Sequence, residues 1–198
     1  YTYEQLLSFL DDTFDIETVN LDIQVPSYNV APGQQVVSVL HDGKKYRAGT
    51  LRWGLVPPFS KDEKSGYKMI NARSETVRSK PSFKTSFKHK RCVILANGFY
   101  EWKRDSGSKV PQYIKLNTED MFVFAGLYSS FKRTDGSVLY TTTILTTEAN
   151  ELMKDIHDRM PVILTVKDAK KWLNARQTED QLESLLTQYP SKDMSYYE

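Results

Sequence analysis

The run from Val93 to Lys103 alternates so that Val93, Leu95, Asn97, Phe99 and Glu101 would share one face of a strand. A carboxylate placed among apolar side chains loses hydration. Its charged form is disfavoured, and it becomes a usable proton donor or acceptor near neutrality. A bulge at Gly98 that turned Glu101 outward, or a neighbouring arginine, would instead make it structural. His157 closes a short helix expected from Asn150 through Ile156 and precedes Asp158-Arg159-Met160-Pro161. A helix C-terminus favours the imidazolium, which would suit a proton donor, whereas a cap or a local ion pair with Asp158 or Arg159 is the structural alternative.

Asn71-Ala72-Arg73-Ser74-Glu75 puts an amide, a guanidinium and a carboxylate within five residues. Arg73 can grip a phosphate with two parallel hydrogen bonds, and Asn71 can both donate and accept. A turn closed by Asn71 and an Arg73–Glu75 ion pair would account for the same residues. The segment Arg78 to Arg91 holds Arg78, Lys80, Lys84, Lys88, Lys90 and Arg91 with Phe83 and Phe87 interleaved and no acid. Cations on phosphates and rings under bases suit single-stranded nucleic acid. A solvated loop anchored by its two Phe residues reads equally well. Cys92, beside Val93-Ile94-Leu95, is expected to pack as a small hydrophobe.

Several devices are missing: Gly-x-Ser-x-Gly, the phosphate-binding Gly-x4-Gly-Lys, His-Glu-x-x-His and a calcium loop. His41, His89 and His157 are far apart and there is 1 Cys, so neither a metal nor a cofactor is expected. One Cys also excludes an internal disulfide and fits a reducing compartment. The net charge of +2 is too small to identify a nucleic-acid binder by itself. No run approaches the roughly 18 apolar residues of a membrane span. Within 198 residues, 39% of them hydrophobic, the 9 Phe, 12 Tyr and 3 Trp supply much of the bulk.

The positioning elements follow from periodicity. Leu6, Leu7, Phe9, Leu10 and Phe14 form a helical stripe. Strands are predicted at Val36 to Leu40, Lys45 to Val56, Arg91 to Lys103, Gln112 to Leu116, Phe122 to Tyr128 and Val138 to Thr147. Asp42-Gly43, Asp105-Ser106-Gly107 and Asp135-Gly136 signal the turns. Further helices are expected at Lys167 to Leu173 and Asp180 to Tyr189. Strands in the middle with helices at both flanks argue for an α+β fold. Its core would be a mainly antiparallel or mixed sheet curled into a barrel, within one domain over residues 1–198.

Five segments in order resemble one family: Tyr28 to Gly33, Arg52-Trp53-Gly54-Leu55-Val56-Pro57, Asn71 to Thr76, Arg91-Cys92 through Gly98-Phe99-Tyr100-Glu101-Trp102, and Ile156 to Pro161. They are similar to the SRAP (SOS response-associated peptidase) family of abasic-site processing proteins. The resemblance implies a protein that recognises abasic sites in single-stranded DNA and joins itself to the ring-opened sugar aldehyde. The family's nucleophile is a Cys exposed at the N-terminus after Met removal, whose free amine and thiol condense with the aldehyde into a thiazolidine. Weak lyase and self-processing peptidase activities are implied as well.

This sequence begins at Tyr1, where the family's first helix starts, so the opening Met-Cys is expected ahead of it and the 198 residues alone are expected not to crosslink. The family's C-terminal end is likewise expected to continue further. Carried over residue by residue, Asn71 would orient the lesion and the amine. Glu101 would act as acid/base in ring opening and Schiff-base formation, and His157 would protonate the sugar hydroxyl. Arg73 and Arg159 would bind phosphate and Phe59 would wedge between bases. Asn29 and Lys80 complete the expected DNA-contacting set. A cytoplasmic monomer, nucleoid-associated if bacterial and without membrane contact, is the expectation that goes with them.

Overall fold

A computed structural model of the chain describes residues 1–17, 30–105 and 108–198; the Asn29 position and the Ser106-Gly107 turn therefore fall outside the described residues. Helix α1 (Tyr3–Phe14) starts where Thr2 and Gln5 satisfy each other's backbone N–H groups, at 3.1 and 2.8 Å. Such a reciprocal cap occupies donors that a helix start otherwise leaves orphaned. Its Leu6, Leu10 and Phe14, spaced four apart, are all buried against the sheet.

Five strands close on themselves. β1 (Gln35–His41) pairs antiparallel with β2 (Tyr46–Trp53) and with β4 (Arg91–Ala96), and β4 pairs with β7 (Phe122–Lys132). β7 pairs antiparallel with β8 (Val138–Glu148), and β8 returns to β2 in parallel. A ring with no free edge removes the strand-pairing hazard of an open sheet. β3 (Asn71–Arg73) runs parallel to β8, β9 (Arg159–Pro161) runs antiparallel to it, and β10 (Ile163–Leu164) extends from β7. The α+β architecture with a barrel core is thus present.

Both faces of β4 are buried. Val93 and Leu95 join Val37, Val39, Val123, Ala125 and Leu127 under α1 and under α3 (Val166–Leu173) and α4 (Glu179–Ser184). Ile94 and Ala96 face the other way, toward Val36, Phe124 and Ile144. That second layer is covered by a three-stranded sheet of β5 (Phe99–Asp105), β6 (Ser108–Leu116) and β11 (Met194–Tyr197), through Ile114, Leu116 and Met194. Among the described residues, no helix is long and apolar enough to cross a membrane.

The predicted elements hold with five corrections, one being the helix expected from Asn150 through Ile156, which is a single 3-10 turn at Met153–Asp155. The Arg91–Lys103 run is two strands in two sheets, broken at Asn97-Gly98. A Cβ on Gly98 would lie 2.2 Å from the Tyr113 phenol, so a larger residue at the break would have to push that ring aside. Asn71 to Arg73, for which a turn was the structural alternative, is strand β3. Lys84–His89, read as loop, is the helix α2. The helix expected to reach Tyr189 stops at Ser184, because Gln188 instead donates to the carbonyls of Glu148 and Ala149, both at 3.0 Å.

Candidate active site

A cavity of about 310 Å³ opens where the barrel meets the second sheet, and its lining includes Tyr1, Trp53, Asn71, Glu101, His157 and Arg159. Its floor is apolar, from Val36, Ile94, Phe124 and Ile144. Asn71 begins β3, whose exposed, buried, exposed pattern turns Asn71 and Arg73 to one side and Ala72 into the core. The backbone ahead of Asn71 is pinned twice: the Trp53 indole N–H and the Ile144 amide both donate to the Ile70 carbonyl, at 2.9 and 3.1 Å. Gly54, next to Trp53, has φ of +125°, and a Cβ there would meet the Gly66 carbonyl oxygen at 2.6 Å. Any other residue would displace the strand end that carries the indole.

Glu101 reaches the cavity by the alternation of β5 itself. Tyr100 and Trp102 are exposed while Phe99, Glu101 and Lys103 turn inward. Burial raises the Glu101 carboxyl above the ordinary glutamate range; the positive charge of His157 and the Trp102 backbone N–H pull it back in part, and Asp158 raises it further. His157 is therefore the neighbouring charge that Glu101 senses most strongly. The cavity thus keeps an acid and an imidazole in electrical contact on an otherwise apolar floor.

His157 does not cap an α-helix. Asn150 Oδ1 accepts from the Met153 amide at 2.9 Å and starts a single 3-10 turn, Met153–Asp155. So short a turn carries little of the dipole expected to favour the imidazolium. The ring is oriented by its C-terminal neighbour instead: the Arg159 backbone N–H donates to Nδ1 at 3.0 Å. The same Nδ1 also faces the Arg159 carbonyl at 3.3 Å, and Nε2 is left for the cavity that the ring lines. Asp158 lies 3.2 Å from the same Nδ1 and is almost wholly exposed.

Arg159 is committed to the protein. Its guanidinium forks onto Glu75 at 2.8 and 2.9 Å and also donates to Thr146 O and Oγ1 at 3.0 and 3.1 Å. The Arg159 fork holds the Glu75 carboxyl below the usual range. Sequence pairing of Glu75 with Arg73 is thereby corrected, and Arg73 is left exposed with no ion pair or side-chain hydrogen bond among the described residues. Sequence reasoning missed Trp53 and Glu75 as supports, because Glu75 finds its partner 84 positions away.

The other candidates lie elsewhere. Phe59, on the loop after β2, is 66% exposed. Lys80 is exposed and lies outside the cavity lining. Phe83 and Phe87 are 6% and 0% exposed, so neither can stack on a base, and the nucleic-acid reading of that pair is corrected. Cys92 is fully buried, and burial pushes its thiol up to about 12, which removes thiolate at any physiological pH. Among the described residues, no group of three or more His, Cys, Asp or Glu is arranged to hold a metal ion.

Over residues 1–198 the chain matches the family described as SOS response associated peptidase (SRAP). It is 52% identical over 201 residues to the "Abasic site processing protein YoqW" of Bacillus subtilis (strain 168), covering 98% of this chain and 89% of that protein. It is 33% identical over 205 residues to the "Abasic site processing protein HMCES" of Xenopus tropicalis, covering 87% of this chain and 60% of that protein. A crystal structure of a protein from Bacteroides thetaiotaomicron superposes with a TM-score of 0.78 at 29% identity, over 83% of this chain and 73% of its own.

Proposed function

The chain belongs to the SRAP family, and from that membership we propose that it processes abasic sites in single-stranded DNA by joining itself covalently to them. The observation that carries the proposal is one cavity shared by Asn71, Glu101, His157 and Tyr1. In this reading the intact protein presents a mature N-terminal Cys ahead of Tyr1, and that residue's amine and thiol enter the cavity beside the three polar side chains.

The chemistry then needs little more than proton management. The terminal amine, with a pKa of about 7.7 to 8.0, is partly neutral near pH 7.5 and attacks the aldehyde carbon of the open sugar. Glu101, whose carboxyl burial raises above the ordinary glutamate range, takes a proton from the attacking amine and returns it to the hydroxyl that leaves as water. The thiol adds to the resulting C=N bond and closes the thiazolidine ring. Atoms balance: amine, thiol and aldehyde give the ring and one water. His157 offers Nε2–H to the sugar oxygen released on ring opening. Asn71 orients the lesion through its amide, and Arg73, unpaired and on the same side of β3, takes a flanking phosphate.

Arg159 serves the site from behind in this account. Its backbone sets the imidazole and its side chain ties β9 to Glu75 and Thr146, so it is a positioning residue and not a phosphate ligand. Weak strand cleavage follows when the C=N intermediate undergoes elimination before the thiol closes it. Removal of the initiator Met by the same site completes the reading.

The test is a full-length protein beginning Met-Cys, mixed with an abasic oligonucleotide and run under denaturing conditions. A shifted band that survives, and that a Cys-to-Ala change at the mature N-terminus abolishes, is the expected result. Normal binding to undamaged strands with no surviving band would make this a non-catalytic DNA-binding module.

A further inference from the structure

The outward face of the β5–β6–β11 sheet carries a belt of aromatic rings that the cavity does not use. Register puts Tyr100 opposite Tyr113 and Tyr113 opposite Tyr197, so three tyrosines stand in one row across three strands. Their ring centroids are 5.0 and 5.5 Å apart, tilted by 53° and 60°. Trp102 flanks the row on β5, and Lys115 reaches over the Tyr197 ring at 5.7 Å on the other side. Tyr100, Trp102 and Tyr197 are 45%, 53% and 52% exposed, far more than rings that serve a core.

Two features choose the occupant. The outward positions of these strands among the described residues hold aromatics, Pro111, Ser195, Lys109 and Lys115, with no carboxylate. Cations beside π faces suit a polyanion whose own units are flat rings. The belt is also continuous with the cavity: Tyr100 and Gly98 both line it, and the Tyr113 ring lies against Gly98.

We propose that the Tyr100–Tyr113–Tyr197 row with Lys115 is a stacking platform for unpaired bases of the strand that leaves the cavity. It rests on the reading of the cavity as a site for single-stranded DNA. Two strand spacings, about 10 Å, give room for two or three nucleotides. Stacking on rings is indifferent to sequence, which suits a lesion that occurs in any context.

The experiment measures anisotropy of labelled, undamaged oligo(dT) bound to the full-length protein, in lengths of about 5 and about 15 nucleotides, the range of a short and an extended site. Tyr197→Ala is expected to weaken the longer oligonucleotide roughly fivefold or more and leave the shorter one unchanged. Tyr197→Phe, which keeps the ring, should retain parental affinity. Lys115→Ala, on an exposed stem, should lower the salt slope for the longer oligonucleotide by about one phosphate contact, and it tests the platform even if Tyr197→Ala folds poorly. Unchanged binding in both alanine variants, or equal losses for both lengths, overturns the platform. So does a protein whose self-association, and not its DNA binding, falls with Tyr197→Ala, which would give the face to a second copy. Adduct formation on a short abasic oligonucleotide reports separately on the crosslinking reading: its absence would sink that reading, while the undamaged oligo(dT) measurements would still decide the platform.

Discussion

Two regions of this molecule are rich in polar and charged side chains, and they use them in opposite ways. In the segment from Arg78 to Arg91 the two arginines at its ends are spent on the fold. Arg78 gathers Glu179, Asp180 and Glu183 at 2.8 to 3.0 Å. Arg91, 7% exposed, donates to the carbonyls of Trp172, Phe87, Lys88 and Asn174, and its guanidinium lies 5.7 Å from the Trp172 ring. Around the cavity, Asn71 and Arg73 have no side-chain partner among the described residues, and Glu101 is raised by a burial that its neighbours only partly offset. A composition scan finds the first region, whereas chemistry needs the second. What separates them is whether a group's hydrogen-bonding capacity is already filled.

The contrast is broken most directly at Glu101. Glu101→Gln keeps the shape and removes proton transfer, so adduct formation should slow roughly 100-fold or more with DNA affinity nearly unchanged. Equal losses in rate and affinity would make Glu101 structural. Stability should move the other way. Because burial raises the folded-state value, protonated Glu101 stabilises the fold below the unfolded-state pKa of about 4.3, and that contribution is lost as pH climbs through the raised value. Thermal melts should therefore find Glu101→Gln at least as stable as the parent at neutral pH, and indistinguishable from it at about pH 4 or below.

Arg91→Ala should do the reverse. It orphans two buried and two half-buried carbonyls and should cost about 3 kcal/mol, or a fall in Tm of roughly 6 to 12 °C, while the adduct rate per folded molecule is unchanged. A variant with a parental Tm and poor DNA binding would place Arg91 on the wrong side of the comparison.

Arg73→Ala is the smaller counterpart at the site. It should weaken single-stranded DNA several-fold and lower the salt slope by about 1, with an unchanged Tm. An unchanged slope would remove the phosphate contact. Arg78→Ala sharpens the comparison from the basic segment: it should leave the DNA salt slope alone and produce only a small, salt-screened loss of thermal stability, because its acidic partners are mostly exposed.

Much of this was legible along the chain. The Leu6, Leu10, Phe14 spacing gives α1, and short apolar, β-branched and aromatic runs between turn signals give the body of β1, β2, β7 and β8. Within β5, alternation also puts Glu101 on the inward face, although the sequence carried that alternation through Gly98 and so joined two sheets into one strand. The two-residue strand Ile163–Leu164 and the four-residue Met194–Tyr197 carry too few residues for a period to register. The roles of Phe83 and Phe87 were open because a ring beside lysines packs inward or stacks outward with the same local pattern.

Residue type and spacing by themselves determined which side chains had the chemistry: one carboxylate on an apolar face, an imidazole before Arg159, and an amide and guanidinium two apart. Only the tertiary structure decided which of them share a space and which are already occupied. Asn71, Glu101 and His157 meet because β3, β5 and the turn before β9 end at one mouth of the barrel. Arg159 is held in place by Glu75 from across the sheet, a partner that no local spacing announces. Local periodicity sets the face a residue presents, but the groups that fill its hydrogen bonds come from distant strands, and their arrival is a property of the closed barrel.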